Sequence, residues 1–142
     1  MIPFGTEAVT LYNRRETKDA NGRTLVSWVR TALSGCSWVR RMERVRDGTA
    51  YVQAEMIVCR IPESNAYRTP EAWDALTVTT GLFTLAPGDI IVHGTVTDVI
   101  GASLTSAALV DKYKRQGVMT VASVADNTPV LFRTGHYVAR GA

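Results

Sequence analysis

At 142 residues, with 46% hydrophobic and 20% charged residues, the chain is long enough to bury a sizeable core and is expected to form one domain over residues 1–142. Its formal charge of +3 and isoelectric point near 9.1 are mildly basic, short of what a dedicated nucleic-acid binder carries. No run of about 18 apolar residues occurs, which excludes a membrane-spanning helix.

Met1 to Glu7 has neither a basic n-region nor an apolar h-region, so a signal peptide is not expected. Two cysteines, Cys36 and Cys59, are too few for a disulfide framework or for a zinc site with the two distant histidines. These features point to a chain made and kept in a cytoplasm.

Glu7 to Arg14 reads as a first strand, with Val9 and Leu11 on one face by period two. Asn21-Gly22 then gives a hairpin signal, because a type I′ turn needs φ > 0 at both central positions. The returning strand is expected over Thr24 to Ala32, and Gly35 is expected to break it. A longer hairpin follows, Cys36 to Arg46 and Thr49 to Ile61, around Asp47-Gly48. With that turn at its centre, Cys36 faces Cys59, Trp38 faces Ile57, Arg40 faces Glu55 and Arg44 faces Tyr51, the matches cross-strand pairing favours.

The base of this hairpin has one apolar face, whereas Arg40, Arg41, Glu43, Arg44 and Arg46 charge both faces of its tip. A ribbon polar on both sides cannot lie over a core. The tip is therefore expected to project, and isolated ribbons are marginal without outside support.

Pro62 ends the strand, and residues 63–80 read as a long loop. Within it Thr69 can cap a helical turn begun by Pro70, which would put Trp73 and Leu76 on one face. Strand signals resume over Gly81 to Leu85. The stretch Leu85-Ala86-Pro87-Gly88-Asp89-Ile90-Ile91-Val92-His93-Gly94 then reads as a structural corner formed by Pro87, Gly88, Asp89 and Gly94, leading into a buried strand. A phosphate loop is excluded there, since no Lys-Ser/Thr follows and no helix opens after the turn.

Thr95 to Ile100 is β-prone. A helix is predicted over residues 105–116, capped by Thr105 or Ser103 and stopped by Gly117, with an apolar stripe of Ala108, Leu109, Lys112 and Tyr113. Val118 to Val124 alternates as a central strand, and Asp126 to Pro129 turns the chain into Val130 to Arg133 and a terminal segment. Many short strands with one helix make a mainly β domain, a small barrel or sandwich.

Catalytic chemistry finds little purchase. His93 and His136 have no Ser, Cys or carboxylate at triad spacing, no metal-ligand spacing occurs, and Glu63, Glu71 and Asp74 lie in a solvated loop. No catalytic residue, metal or cofactor is assigned, and an enzyme is not expected. Cys36 and Cys59 read as small buried hydrophobes. The polar cluster that stands out is Arg40, Arg41, Arg44 and Arg46 with Glu55. Arginines suit bidentate contact with carboxylates, so protein contact ranks above a solvated ribbon and above DNA. The aromatics of the long loop either tuck into the domain or anchor an interface.

The layout VTLYNR, VSWVRT, LSGCSW, IVCRIP, LAPGDIIVHG, DKYKRQG and VMTVASVADN resembles small structural proteins of the head-to-tail region of siphovirus-type phages and prophages. The PGDxIVxG corner is similar to that of head-completion or stopper proteins. The resemblance implies a virion protein of the head–tail neck, assembled in the bacterial host cytoplasm. It would form a homo-oligomeric ring of roughly six or twelve subunits that closes the DNA channel below the portal and adaptor and docks the tail.

By that analogy Arg40, Arg41, Arg44, Arg46 and Glu55 meet a neighbouring subunit. The loop carrying Tyr67, Arg68, Trp73 and Leu76 plugs the channel or meets the adaptor or tail. Packaged duplex DNA passes nearby, and neither a membrane nor a small-molecule substrate is involved. A tail-completion or tail-terminator protein is the alternative within the virion, and a small basic nucleic-acid-binding β-barrel the alternative from another class.

Overall fold

The computed structural model describes residues 5–101, 103–128 and 135–142, without the side chains of Glu43, Val45 and Asp47. Six strands close into an antiparallel barrel in the order β1-β2-β3-β6-β5-β4. They are β1 (Glu7–Lys18), β2 (Thr24–Asp47), β3 (Ala50–Pro62), β4 (Ile90–His93), β5 (Val118–Asp126) and β6 (His136–Gly141), with helices α1 (Pro70–Asp74) and α2 (Ser106–Lys112). The expected strand Val130 to Arg133 lies outside the described residues.

Alternation fills the barrel. Val9 and Leu11 from β1, Cys36 from β2, Ile57, Cys59 and Ile61 from β3, Ile91 from β4, Met119 and Val121 from β5, and Tyr137 and Ala139 from β6 all point inward. A barrel this narrow is closed by its own side chains. The opposite face of β1, β4 and β5 is covered as well. Tyr12, Ile90, Val92 and Val118 pack there against Leu109 of α2 and against Val96 and Ile100. Each fully buried large side chain contributes about 1.5–3 kcal/mol, so α2 and its approach segment are a second half of the core.

Gly35 does not break the chain. It takes φ 69° inside a continuous β2, beside a shift in the β1–β2 register between Glu7 and Val9. This is the signature of a bulge that bends the strand. The same strand can thus pair with β1 up to Cys36 and then with β3 from Ser37 onward.

The second hairpin turns one residue later than expected, at Gly48-Thr49, with Asp47 opposite Ala50. Gly48, at φ 65°, occupies the first central position, where primed turns need φ > 0. The true partners are Trp38 with Cys59, Arg40 with Ile57 and Arg44 with Gln53. A slip of two residues leaves every side chain on the same face, so the apolar base and charged tip survive the correction. The expected pairs become diagonal neighbours. Only part of residues 36–61 projects: β3 pairs with β6 up to Ile57 opposite Gly141, and residues 41–56 pair with one another alone among the described residues.

Other corrections have local causes. Asn21-Gly22 sits in a five-residue loop between Lys18 and Thr24, because the Asp19 carboxylate accepts from both Asn21 N and Arg23 N at 2.9 Å. Gly81 to Leu85 forms no strand beyond one bridge, Phe83 with Tyr67. Thr95 to Ile100 is likewise irregular, since Thr10 Oγ1 takes the Val96 N–H at 3.0 Å and donates to Gly94 O at 2.9 Å.

The helix predicted over 105–116 is regular only from Ser106 to Lys112, with Thr105 as its cap. Its buried side is Leu109, flanked by half-buried Ser106, Val110 and Tyr113, while Ala108 is exposed. Lys112 is exposed and binds Asp98, whereas Tyr113 packs against this core while its hydroxyl also bonds Asp98. In the long loop, α1 starts at Pro70 with Thr69 as its N-cap, as expected.

Candidate assembly interface

The corner that organises the β4 side is held by a buried polar network. Asn13 stands at the inward position after Val9 and Leu11, where period two calls for a third apolar residue. Its Nδ2 donates to Thr84 O at 2.6 Å and to Asp89 Oδ2 at 2.8 Å, and its Oδ1 accepts from Thr84 N at 3.2 Å. Asp89 also accepts from Arg14 N and Ala86 N, each at 2.9 Å. Burial nevertheless raises the Asp89 pKa to about 6, against the lowering effect of those donors. Gly88 takes φ 96° and Gly94 φ 99°, values that L side chains resist. Pro87 and Gly88 are exposed. Gly94 is half-buried and Asp89 is buried, and the Asp89 network ties β1, the 83–86 segment and β4 together.

Cys36 and Cys59 are fully buried free thiols. Their mutual hydrogen bond lowers the pKa of Cys36 and, with burial, raises that of Cys59 well above the ordinary thiol range. Among the described residues no group of three or more His, Cys, Asp or Glu is arranged to hold a metal ion. His93 lies parallel to Trp38 at 5.0 Å between ring centroids and contacts Glu7 at 2.9 Å. His136 is at the far end of the barrel, beside Asn127.

The four expected arginines do fall on the projecting ribbon and its base, and all are exposed. Arg40 meets Glu55 at 2.8 Å, with both side chains about half exposed; in water such a pair is worth no more than about 1 kcal/mol. Arg44 lies over the Tyr51 ring at 5.1 Å, and Arg46 Nε donates to Gly48 O. What the charge pattern concealed is the apolar content between the arginines. Met42 is 62% exposed, Tyr51 59% and Val52 44%. Arg, Tyr and Met are residue types enriched at protein interfaces.

The long loop is more anchored than expected. Trp73 is 2% exposed, with the Arg15 guanidinium 6.0 Å above it, and Arg15 also binds the Leu76 carbonyl. Tyr67 stacks on Tyr137 at 4.1 Å and meets Phe83 edge-on at 5.8 Å. Arg68 turns its guanidinium to the carbonyls of Asn65 and Tyr67. Trp73 thus belongs to the body, Leu76, Tyr67 and Arg68 are half-buried, and the loop presents its carboxylates outward.

Of the grooves that flank these features, two border the ribbon base and β5. One, of 880 Å³, runs from Arg40 and Glu55 past Ile57 and Ile90 to Val110 and Lys114 of the α2 side. The other, of 440 Å³, lies between Tyr67, Pro70, Leu85 and Pro87 on one side and Val124 and Asp126 on the other. Among the described residues no helix is long and apolar enough to cross a membrane.

The chain belongs to a family of unknown function, DUF6751, which it matches over residues 4–142. No curated protein and no solved structure matches it.

Proposed function

We propose that this chain is a ring-forming structural subunit of a phage or prophage neck, a stopper or connector that closes the DNA channel below the portal and adaptor and docks the tail. The phage assignment rests on the sequence layout described above. The observation that carries the assembly reading is the ribbon of residues 41–56, which extends past the barrel with no third strand among the described residues and exposes Met42, Tyr51 and Val52 between arginines. Two strands alone are marginal in water, and a neighbouring subunit supplies the missing support. A closed ring needs two different complementary surfaces on every chain, and the ribbon is one of them.

The test is the assembly state of the purified chain, by light scattering after size exclusion, alone and with candidate portal, adaptor and tail proteins. Rings or stable complexes are expected. Replacing Arg40, Arg41 and Arg44 by Ser is expected to leave the unfolding midpoint almost unchanged, since exposed substitutions stay within about 0.5 kcal/mol each, and to abolish assembly. A chain that stays monomeric under all these conditions overturns the reading. Retention on duplex DNA at low salt with a steep salt dependence would instead favour a nucleic-acid module.

A further inference from the structure

The 440 Å³ groove beside Tyr67 runs along β5 from Ala122 to Asp126, and its Asp126 end lies away from the ribbon. β3 enters the barrel from the ribbon at Ile57 and leaves it at Pro62, and Pro62 pairs with His136 while Tyr137 pairs with both Ile61 and Asp126. Asp126 therefore marks the end away from the ribbon. That end is acidic. Glu63 and Glu71 are exposed there with Asp126, and the charges of Asp126 and Glu71 reach the Tyr67 hydroxyl while those of Asp126 and Glu63 reach Tyr137. Of these carboxylates Asp126 lines the groove, whose walls are otherwise largely apolar, with Tyr67, Pro70, Leu85 and Val124.

The groove also has a strand edge left unpaired among the described residues. β4 pairs with β5 only from Val118 to Thr120, and Val121 still bonds to Gly88 and Asp89. Beyond that point β5 pairs with β6 alone among the described residues. Asn127 and His136 exchange both backbone bonds, so antiparallel alternation turns the N–H and C=O of Ala125 and Ser123 toward β6 and those of Val124 away from it, into the groove. An edge of this kind accepts an added strand. The ribbon has the converse properties: basic, apolar between its charges, and unpaired on both outer edges among the described residues.

We infer that the arginine ribbon of one subunit docks in the groove beside Tyr67 and Asp126 of a second copy, with a ribbon edge beside Val124 and Tyr51 and Met42 against the apolar walls. The contact is heterologous, so its repetition closes a ring when the rotation between neighbours permits and otherwise continues as a filament. This deepens the assembly reading and rests on it, and it assigns the second complementary surface.

Two charge-reversed chains test it. One carries Arg41→Glu, Arg44→Glu and Arg46→Glu, and the other Glu71→Lys and Asp126→Lys. Each alone is expected to be monomeric. Mixed, they are expected to assemble, because each reversed ribbon then meets an oppositely charged groove, and the assembly should dissociate as salt rises. Asp126 also accepts from Thr128, so a second groove variant, Ala122→Arg, guards against misfolding. Ala122 is exposed in the groove wall and is expected to block assembly with an unchanged far-ultraviolet spectrum.

Wild-type assembly that persists unchanged in chains carrying either groove variant would overturn this inference and leave the ring reading standing. Two folded reversed chains that fail to assemble when mixed would also overturn the inference. A wild type that never assembles would overturn both.

Discussion

Replacing Asp89 by Asn changes one atom of the corner and removes its ability to ionise. The native carboxylate accepts from Asn13 Nδ2 at 2.8 Å and from Ala86 N and Arg14 N at 2.9 Å. Asparagine offers one acceptor oxygen and turns an NH2 toward at least one of those N–H groups, so a donor in a buried site loses its acceptor. At about 1–3 kcal/mol for each donor so stranded, Asp89→Asn is expected to lose about 2 kcal/mol near neutral pH.

The pH dependence has a definite sign. Burial raises the Asp89 pKa from 3.8 to about 6, so between those values the folded chain holds a proton that the unfolded chain has released. The contribution of this group is therefore full below about pH 4 and falls as pH rises through 6, by at most about 3 kcal/mol at 1.36 kcal/mol per unit. Asparagine does not titrate. Urea unfolding followed by tryptophan fluorescence, at concentrations below assembly, is expected to show the stability gap between the two proteins about 2–3 kcal/mol wider at pH 4 than at pH 8. All other groups titrate in both proteins and cancel in the difference. A constant gap would refute the burial argument. A gap that narrows toward acid would mean that the three donors outweigh burial and depress the pKa.

Glycine at 141 should be indispensable, because a Cβ built there lies 1.9 Å from Thr120 O, whereas one at Gly101 meets nothing within 4 Å. Gly141→Ala is expected to cost at least about 2 kcal/mol through overpacking, with Gly101→Ala as a near-neutral control; equal thermal midpoints would contradict the β5–β6 packing. Cys36 and Cys59, both 0% exposed, are expected to resist a thiol reagent in the native protein, with fewer than about one chain in ten labelled while the urea-unfolded chain labels twice. Rapid native labelling would place one of them outside the core.

Much of the body could be read from residue pattern. Val9 and Leu11, the Ile90-Ile91-Val92 run and Val118 to Val121 alternate or cluster as buried strands must, and they are the barrel wall. The hairpin faces were legible even with its register displaced, because a slip of two residues conserves the side of every residue. The register itself was not, since both Asp47-Gly48 and Gly48-Thr49 can form tight turns and only the packing of Trp38 and Cys59 against the rest of the barrel chooses. Gly35 looked like a stop because a lone glycine gives the same local signal for a break and for a bulge. The β-prone run Thr95 to Ile100 failed as a strand because no partner edge was left for it. Burial of Val96 and Ile100 on the outside of β4 won instead.

The interface candidates divide in the same way. That Arg40, Arg41, Arg44 and Arg46 share one projecting hairpin follows from their spacing and the turn between the strands. That Met42, Tyr51 and Val52 are left uncovered beside them depends on where β1 and β6 stop pairing, a property of the closed barrel. By sequence Tyr67 and Trp73 could either tuck into the domain or anchor an interface, and they tuck in. The Tyr137 ring and the Arg15 guanidinium that occupy them come from far along the chain, a distance over which sequence carries no contact information. The sequence by itself therefore determined a β domain with an internal corner and a charged ribbon, because periodicity and turn chemistry are local. Only the tertiary structure decided which strand edges and apolar side chains remain open, because openness depends on what every other segment has already covered.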